Sequence, residues 1–254
     1  MSTTTSAQLA AEQPLPILIL DFDGTVCLGD GPVLAYAQAV ADQLPESAQK
    51  LLQEGLASYL AEDPHAPSYK DGYAAVAALA EGHLDSTGLH HAYLASRQRL
   101  ADGTVEIEAP DGFAAFLDSL DGIAFRLLLT NAPLNGVQES LSMLGLSNSV
   151  DLIIPDARKP AGFAGLLPSL LANKAPHELL SVGDVWSNDI DLPAREGCAT
   201  AFIDRFEHRT GAATVSAPRF ELLYDAISDW ARNPAGFIST HSSMSTPLSE
   251  KAPQ

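Results

Sequence analysis

Residues 15–25 read Leu15-Pro16-Ile17-Leu18-Ile19-Leu20-Asp21-Phe22-Asp23-Gly24-Thr25. The run from Ile17 to Phe22 is apolar except at Asp21, too short for a helix, and flanked by Pro16 and Gly24, the pattern of a buried strand. Asp21 and Asp23 stand two apart on that extended chain, so their side chains point to the same face. Two carboxylates held so close need a cation or a proton to coexist. One stretch thus predicts both the centre of a sheet and a charged site at its end.

Similar runs recur at Phe125 to Thr130, Asp151 to Ile154, Leu179 to Gly183 and Ala199 to Asp204. The segments between the last four carry apolar residues at helical spacing, such as Val137, Leu141, Leu144 and then Phe163, Leu166, Leu167, Leu170. Strand and helix in alternation predict an α/β fold with an open, Rossmann-like parallel sheet between two helical layers. The first connection is different, because roughly 100 residues separate Phe22 from Phe125 where a crossover needs about 30. The surplus predicts an insertion of four helices, over Val33 to Leu44, Ser47 to Leu60, Asp71 to Ala80 and Ser86 to Leu100, cut by Pro45, Pro64, Pro67, Gly82 and Gly103. Asp111 to Leu120 then reads as a helix returning to the sheet, with Phe113, Phe116, Leu117 and Leu120 on one face. Residues 14–29 and 104–233 are expected to form the core domain and 30–103 a small all-helical domain. The compositions of 1–13 and 234–254, rich in Ser, Thr, Ala and Pro, predict disordered tails.

The 254 residues carry 14 Lys and Arg against 32 Asp and Glu, a net charge of −18. Such a field repels nucleic-acid phosphates and anionic lipid, so neither is expected as a partner. No apolar run approaches the roughly 18 residues of a membrane span, and residues 1–13 lack the basic start and apolar stretch of a secretory leader. With Cys27 and Cys198 as the two cysteines, reduced thiols in a cytoplasm are expected.

Ligands of open parallel sheets collect outside the carboxyl ends of the strands. There this chain places Asp21, Asp23, Thr130, Asn131, the Arg158-Lys159-Pro160 loop, and Gly183-Asp184 with Asp189 beyond it. Taken singly, Asp23-Gly24 is an ordinary turn, Gly183-Asp184 a helix cap and Lys159 a solvated loop lysine. Together they describe one crevice in which Asp184 can complete an oxygen site for Mg²⁺, an ion that prefers carboxylates, water and phosphate.

In these motifs, taken in order from Asp21-x-Asp23-Gly24-Thr25 through Thr130 and Lys159 to Gly183-Asp184-x-x-x-x-Asp189, the chain from about Leu15 to Asp204 resembles the haloacid dehalogenase (HAD) superfamily of phosphohydrolases. The resemblance implies Mg²⁺-dependent hydrolysis of a small phosphorylated metabolite through an aspartyl-phosphate, with no obligate protein partner. It implies Asp21 as nucleophile and Asp23 as general acid and base. Thr130 and Lys159 would bind the phosphoryl oxygens, with Asn131 adding a donor. Asp21, the Asp23 backbone carbonyl and Asp184 would hold the metal, and Asp189 is either a further ligand or a partner of one. The insertion takes the place of a helical cap. A dehalogenase or a phosphonatase is disfavoured by the presence of Asp23. A sugar phosphomutase, which shares all four motifs, and a non-catalytic scaffold stay open. Of the cations in the insertion, Lys50, Lys70, Arg97 and Arg99, Lys70 is the one placed to reach substrate, though a solvated surface lysine is its simpler reading. Trp186 reads as a loop anchor rather than a stacking surface, and the histidines as incidental.

Overall fold

A computed structural model describes residues 3–205 and 211–242 of the chain. Six parallel strands form its sheet in the order β3-β2-β1-β4-β5-β6: β1 (Ile17–Leu20), β2 (Phe125–Leu129), β3 (Leu152–Ile154), β4 (Leu179–Gly183), β5 (Ala199–Ile203) and β6 (Val215–Ala217). β1 lies centrally, with Ile17 opposite Phe125 on one side and Leu179 on the other. Its residues alternate between two apolar layers. Leu18 and Leu20 join Phe113, Leu117, Val137, Leu141, Ile227 and Trp230, whereas Ile17 and Ile19 join Phe163, Leu167 and Leu170. Each such buried side chain stabilises the fold by roughly 1.5–3 kcal/mol relative to exposure.

The helices follow in chain order: α1 (Thr3–Ala11), α2 (Gly31–Ala41), α3 (Glu46–Leu60), α4 (Gly72–Leu79), α5 (Ser86–Ala101), α6 (Phe113–Ser119), α7 (Leu134–Met143), α8 (Ala161–Leu170), α9 (Asp191–Arg195), α10 (Tyr224–Arg232) and α11 (Pro234–Ser242). α6, α7, α10 and α11 cover the Leu18 face, and α1 and α8 the Ile17 face. Helices α2 to α5 are the insertion between β1 and β2. They close around their own core of Tyr36, Val40, Leu52, Leu56, Val76 and Ala92. Pro32 opens α2 in its first turn, and Asp71 and Asp85 cap α4 and α5 by accepting the Ala74 and Gly88 amides at 2.7 and 2.8 Å. The two segments joining insertion to core pair as an antiparallel bridge, with Leu28 N donating to Glu108 O at 2.7 Å and Glu108 N to Leu28 O at 3.2 Å.

Two expectations are corrected. Thr3–Ala11 is helical rather than a tail, because Ala7, Ala10 and Ala11 are small enough to bring α1 close against α8 and cover the second face. At the other end Pro234–Ser242 is helical, with Phe237 buried in the Leu18 layer; 243–254 lie outside the described residues. The strand β6 was not expected. Among the described residues no helix is long and apolar enough to cross a membrane.

Candidate active site

Parallel strands aim all their carboxyl ends at one edge, and there the expected residues meet. Asp21, Asp23, Thr130, Asn131, Lys159, Asp184 and Asp189 all line one cavity of about 1020 Å³ between sheet and insertion. Asp21 directly follows β1, Thr130 follows β2, Lys159 precedes α8, Asp184 follows β4, and Asp189 sits in the tight turn Trp186–Ile190.

Lys159 is the hub. Its Nζ donates to Asp21 Oδ1 and to Asp189 Oδ1, each at 2.6 Å, and the side chain is 3% exposed. Burial alone would depress the ammonium, but the Asp189 and Asp21 carboxylates hold its pKa above the usual lysine value. The second Asp189 oxygen accepts the Val185 amide at 3.1 Å, and the Thr25 hydroxyl donates to Asp21 Oδ2 at 3.3 Å. Asp21, Asp184 and Asp189 bring one carboxylate oxygen each to within 4.8 Å of one another. Burial, partly offset by Lys159 and reinforced by Asp189, pushes the Asp21 carboxyl up to about 7. Burial and the neighbouring Asp21 and Asp189 raise Asp184 well above the carboxylate range. Asp184 Oδ1 is buried with no hydrogen-bond partner. Three carboxylates against one ammonium leave two negative charges, and the orphaned oxygen has room for a ligand. The donor set fits a hard divalent cation. Gly24 makes this crowding possible: its φ is +81°, and a Cβ there would overlap the Asp184 carboxylate.

Thr130 keeps its hydroxyl at the cavity, where Oγ1 accepts the Ala132 amide at 3.0 Å and retains its own proton to donate. Asn131 behaves differently from the expectation. Its Oδ1 accepts Lys159 N at 2.6 Å and its Nδ2 donates to Lys159 O at 3.1 Å, so the amide clamps the lysine backbone instead of offering a donor to the cavity. Lys70 lines the cavity but is 55% exposed and meets only Asp71, at 3.7 Å, in keeping with a solvated lysine. Trp186 packs edge-on against Phe202 and stays out of the cavity wall. Cys27 and Cys198 are free and buried.

Sequence reasoning missed the contact to Asp23. Arg97 of α5 donates from Nη1 to Asp23 Oδ1 at 3.0 Å and from Nη2 to the Tyr73 hydroxyl, which itself lies 3.4 Å from Asp23 Oδ1. The guanidinium also stands 5.3 and 4.9 Å from the ring centres of Tyr73 and Tyr93. The one local sign of this arrangement is Tyr93 and Arg97 one helical turn apart, which a sequence reader takes for an ordinary core pair.

The sequence matches no family model and no curated protein. The fold does match solved structures. One is the HAD-hydrolase YfnB from Bacillus subtilis bound to magnesium, at 16% identity over 85% of this chain and 100% of that one, with a TM-score of 0.57. Another is a predicted phosphoglycolate phosphatase from Haemophilus somnus 129PT, at 18% identity over 75% and 86%, with a TM-score of 0.51. A third is a 2-haloacid dehalogenase from Pseudomonas syringae pv. tomato DC3000, at 20% identity over 85% and 99%, with a TM-score of 0.50. The chain has the haloacid dehalogenase-like fold, with a cluster of three acidic residues able to hold a metal at the carboxyl edge of its sheet.

Proposed function

We propose that this protein is a Mg²⁺-dependent phosphatase that hydrolyses a small phosphomonoester in the cytoplasm. The observation that carries the reading is the charge deficit at Asp21, Asp184 and Asp189, which one buried ammonium does not balance. A metal-free dehalogenase has no use for that deficit, whereas a divalent cation and a phosphoryl group do. The magnesium in the YfnB structure and the phosphatase among the similar folds support the same reading.

Asp21, the Asp23 backbone carbonyl and Asp184 would hold the ion, with Asp189 fixed by Lys159 and the Val185 amide beside them. Bound there, Mg²⁺ would neutralise the carboxylates and the phosphoryl oxygens. Lys159 and the Thr130 hydroxyl bind the phosphoryl oxygens, and Asn131 keeps Lys159 in place. An Asp21 oxygen forms a bond to phosphorus as the ester P–O bond breaks, and the leaving oxygen takes its electron pair and a proton from Asp23. Asp23 then accepts a proton from water as the water oxygen attacks phosphorus, and the P–O bond to Asp21 breaks to release phosphate. Splitting the displacement in two gives each half an attainable barrier. The cavity is large enough to enclose a metabolite-sized ester.

Phosphate release from 4-nitrophenyl phosphate and from a panel of phosphorylated metabolites, with Mg²⁺ and with excess chelator, tests the reading. Turnover that needs Mg²⁺ and is inhibited by Ca²⁺, whose looser coordination misplaces the nucleophile, is expected. Full turnover in chelator, transfer of the phosphoryl group to a sugar hydroxyl in place of water, or release of halide but no phosphate overturns it.

A further inference from the structure

Arg97 is 1% exposed and does not belong to the cavity wall, although Asp23, Tyr73 and Tyr93 do. A substrate in the cavity therefore meets Asp23 and the tyrosines, with the guanidinium behind them. Arg97 makes its ion pair with Asp23, whose side chain keeps 23% exposure. A charge buried so deeply is tolerable only while paired, so the guanidinium holds the carboxylate as firmly as the carboxylate holds it. Tyr73 and Tyr93 brace it from its faces. The helix that delivers it is seated on the core. The Arg97 carbonyl lies 3.0 Å from where a Cβ on Gly136 would stand, in the first turn of α7, and Asn135 Nδ2 donates to Gln98 Oε1 at 3.3 Å. That turn follows directly on the Thr130–Asn131 end of β2.

We propose that Arg97 is a positioning residue: by binding Asp23 Oδ1 from behind the cavity wall, it fixes that carboxylate with Oδ2 turned to the leaving group, so that the seated insertion completes the acid and base of the site. The inference rests on the phosphatase reading and extends it. A core whose insertion is displaced keeps its nucleophile, its lysine and its metal ligands but loses the orientation of Asp23. Steps that need a proton suffer, and steps that do not are spared.

The test compares two esters in Mg²⁺ on wild type, Arg97→Gln, Tyr73→Phe and Asp23→Asn. n-Butyl phosphate has a leaving group that must be protonated, and 4-nitrophenyl phosphate has one that departs unaided. For Arg97→Gln, kcat on the butyl ester should fall about 100-fold while the first burst of nitrophenolate slows less than about 5-fold, with KM for both esters nearly unchanged. Tyr73→Phe keeps the ring and removes the shared hydroxyl; it should show the same split at about 10-fold, and it carries the test if Arg97→Gln does not fold. Equal losses on both esters in an active, folded variant would reduce Arg97 to a packing residue and overturn the inference alone. A raised KM with unchanged kcat would make it a substrate ligand and overturn it likewise. An Asp23→Asn enzyme without the leaving-group split, or a wild type that releases phosphate from neither ester, brings down the functional reading and this inference with it.

Discussion

Strand β2 has an ion cluster at each end, and the two are built from similar parts with opposite outcomes. At its start Arg126, 5% exposed, gives Nε and Nη2 to Asp151 at 2.9 and 2.8 Å, Nη2 to Asp121 at 3.2 Å and Nη1 to the Leu117 carbonyl at 3.0 Å. The Arg126 amide adds a further bond to Asp151 at 2.7 Å. Burial of Asp151 works against ionisation, but these donors outweigh it and hold the carboxyl below its usual value. At the far end Lys159 has two carboxylates to serve and a third, Asp184, within reach of both. There Asp21 and Asp184 are pushed up instead of down. A planar guanidinium with five donors completes its cluster. A single ammonium among three carboxylates leaves one that needs a partner from outside the protein. Structural and functional ion clusters are distinguished by that difference.

The largest effect that can break this comparison comes from Asp21→Asn. It should lower turnover by about four orders of magnitude or more and abolish the phosphorylated protein, because no other group at the site attacks phosphorus. Yet the metal-free variant should be no less stable than wild type, within about 1 kcal/mol, since a crowded carboxylate is gone and Lys159 keeps Asp189. Intact-mass measurement after rapid quench and a denaturant titration check the two halves. A large loss of stability would mean that the far end is structural after all.

Asp151→Asn at the near end should do the reverse. It leaves Arg126 buried with only the exposed Asp121 as counter-charge, at a cost of about 2–3 kcal/mol, while kcat stays within about 2-fold. A denaturant midpoint and a steady-state assay on one preparation decide this. A loss of kcat as large as that of Asp21→Asn would dissolve the division between the two ends.

What could be read without coordinates follows the same lines. β1 and β4 are legible because they are buried on both faces, and the Asp21 to Asp189 set is legible because each member ends or follows a strand. β6 is not, since Val215-Ser216-Ala217 lies at the sheet edge, half-exposed and without a long apolar run. α1 is hidden because its contact with α8 is made by alanines, which carry no strong periodicity. Lys159 is legible, whereas the Asn131 clamp on its backbone is not, because it depends on how two loops lie side by side. Arg97 is 74 positions from Asp23, and nothing local marks it as the residue that crosses from insertion to core. Chemistry that hangs on strand ends is written in order along the chain; chemistry that hangs on docking is not.

The smallest effect is the sharpest test, because the two ends should answer pH with opposite sign. Asp151 has a folded pKa below the unfolded value of about 3.9, so its stabilisation is complete above that pH and lost as pH falls through the depressed folded value. Asp21 has a folded pKa raised to about 7, so the folded state takes up a proton that the unfolded state releases. Its penalty is present above pH 7 and relieved as pH falls toward the unfolded value of about 3.9. Metal-free protein should accordingly gain a little stability from pH 8 to pH 5 and lose it again below about pH 4. Saturating Mg²⁺ should raise stability most at pH 8 and flatten the upper arm, because the ion favours the ionised carboxylates that the protein alone disfavours. Asp21→Asn should weaken the upper arm and spare the acid arm, and Asp151→Asn should do the converse. Denaturant titrations across that range, in chelator and in Mg²⁺, read all of these at once. An upper arm that survives Asp21→Asn unchanged, or one that Mg²⁺ leaves as steep as before, would show that the far cluster is not short of positive charge, and the contrast between the two ends of β2 would fail.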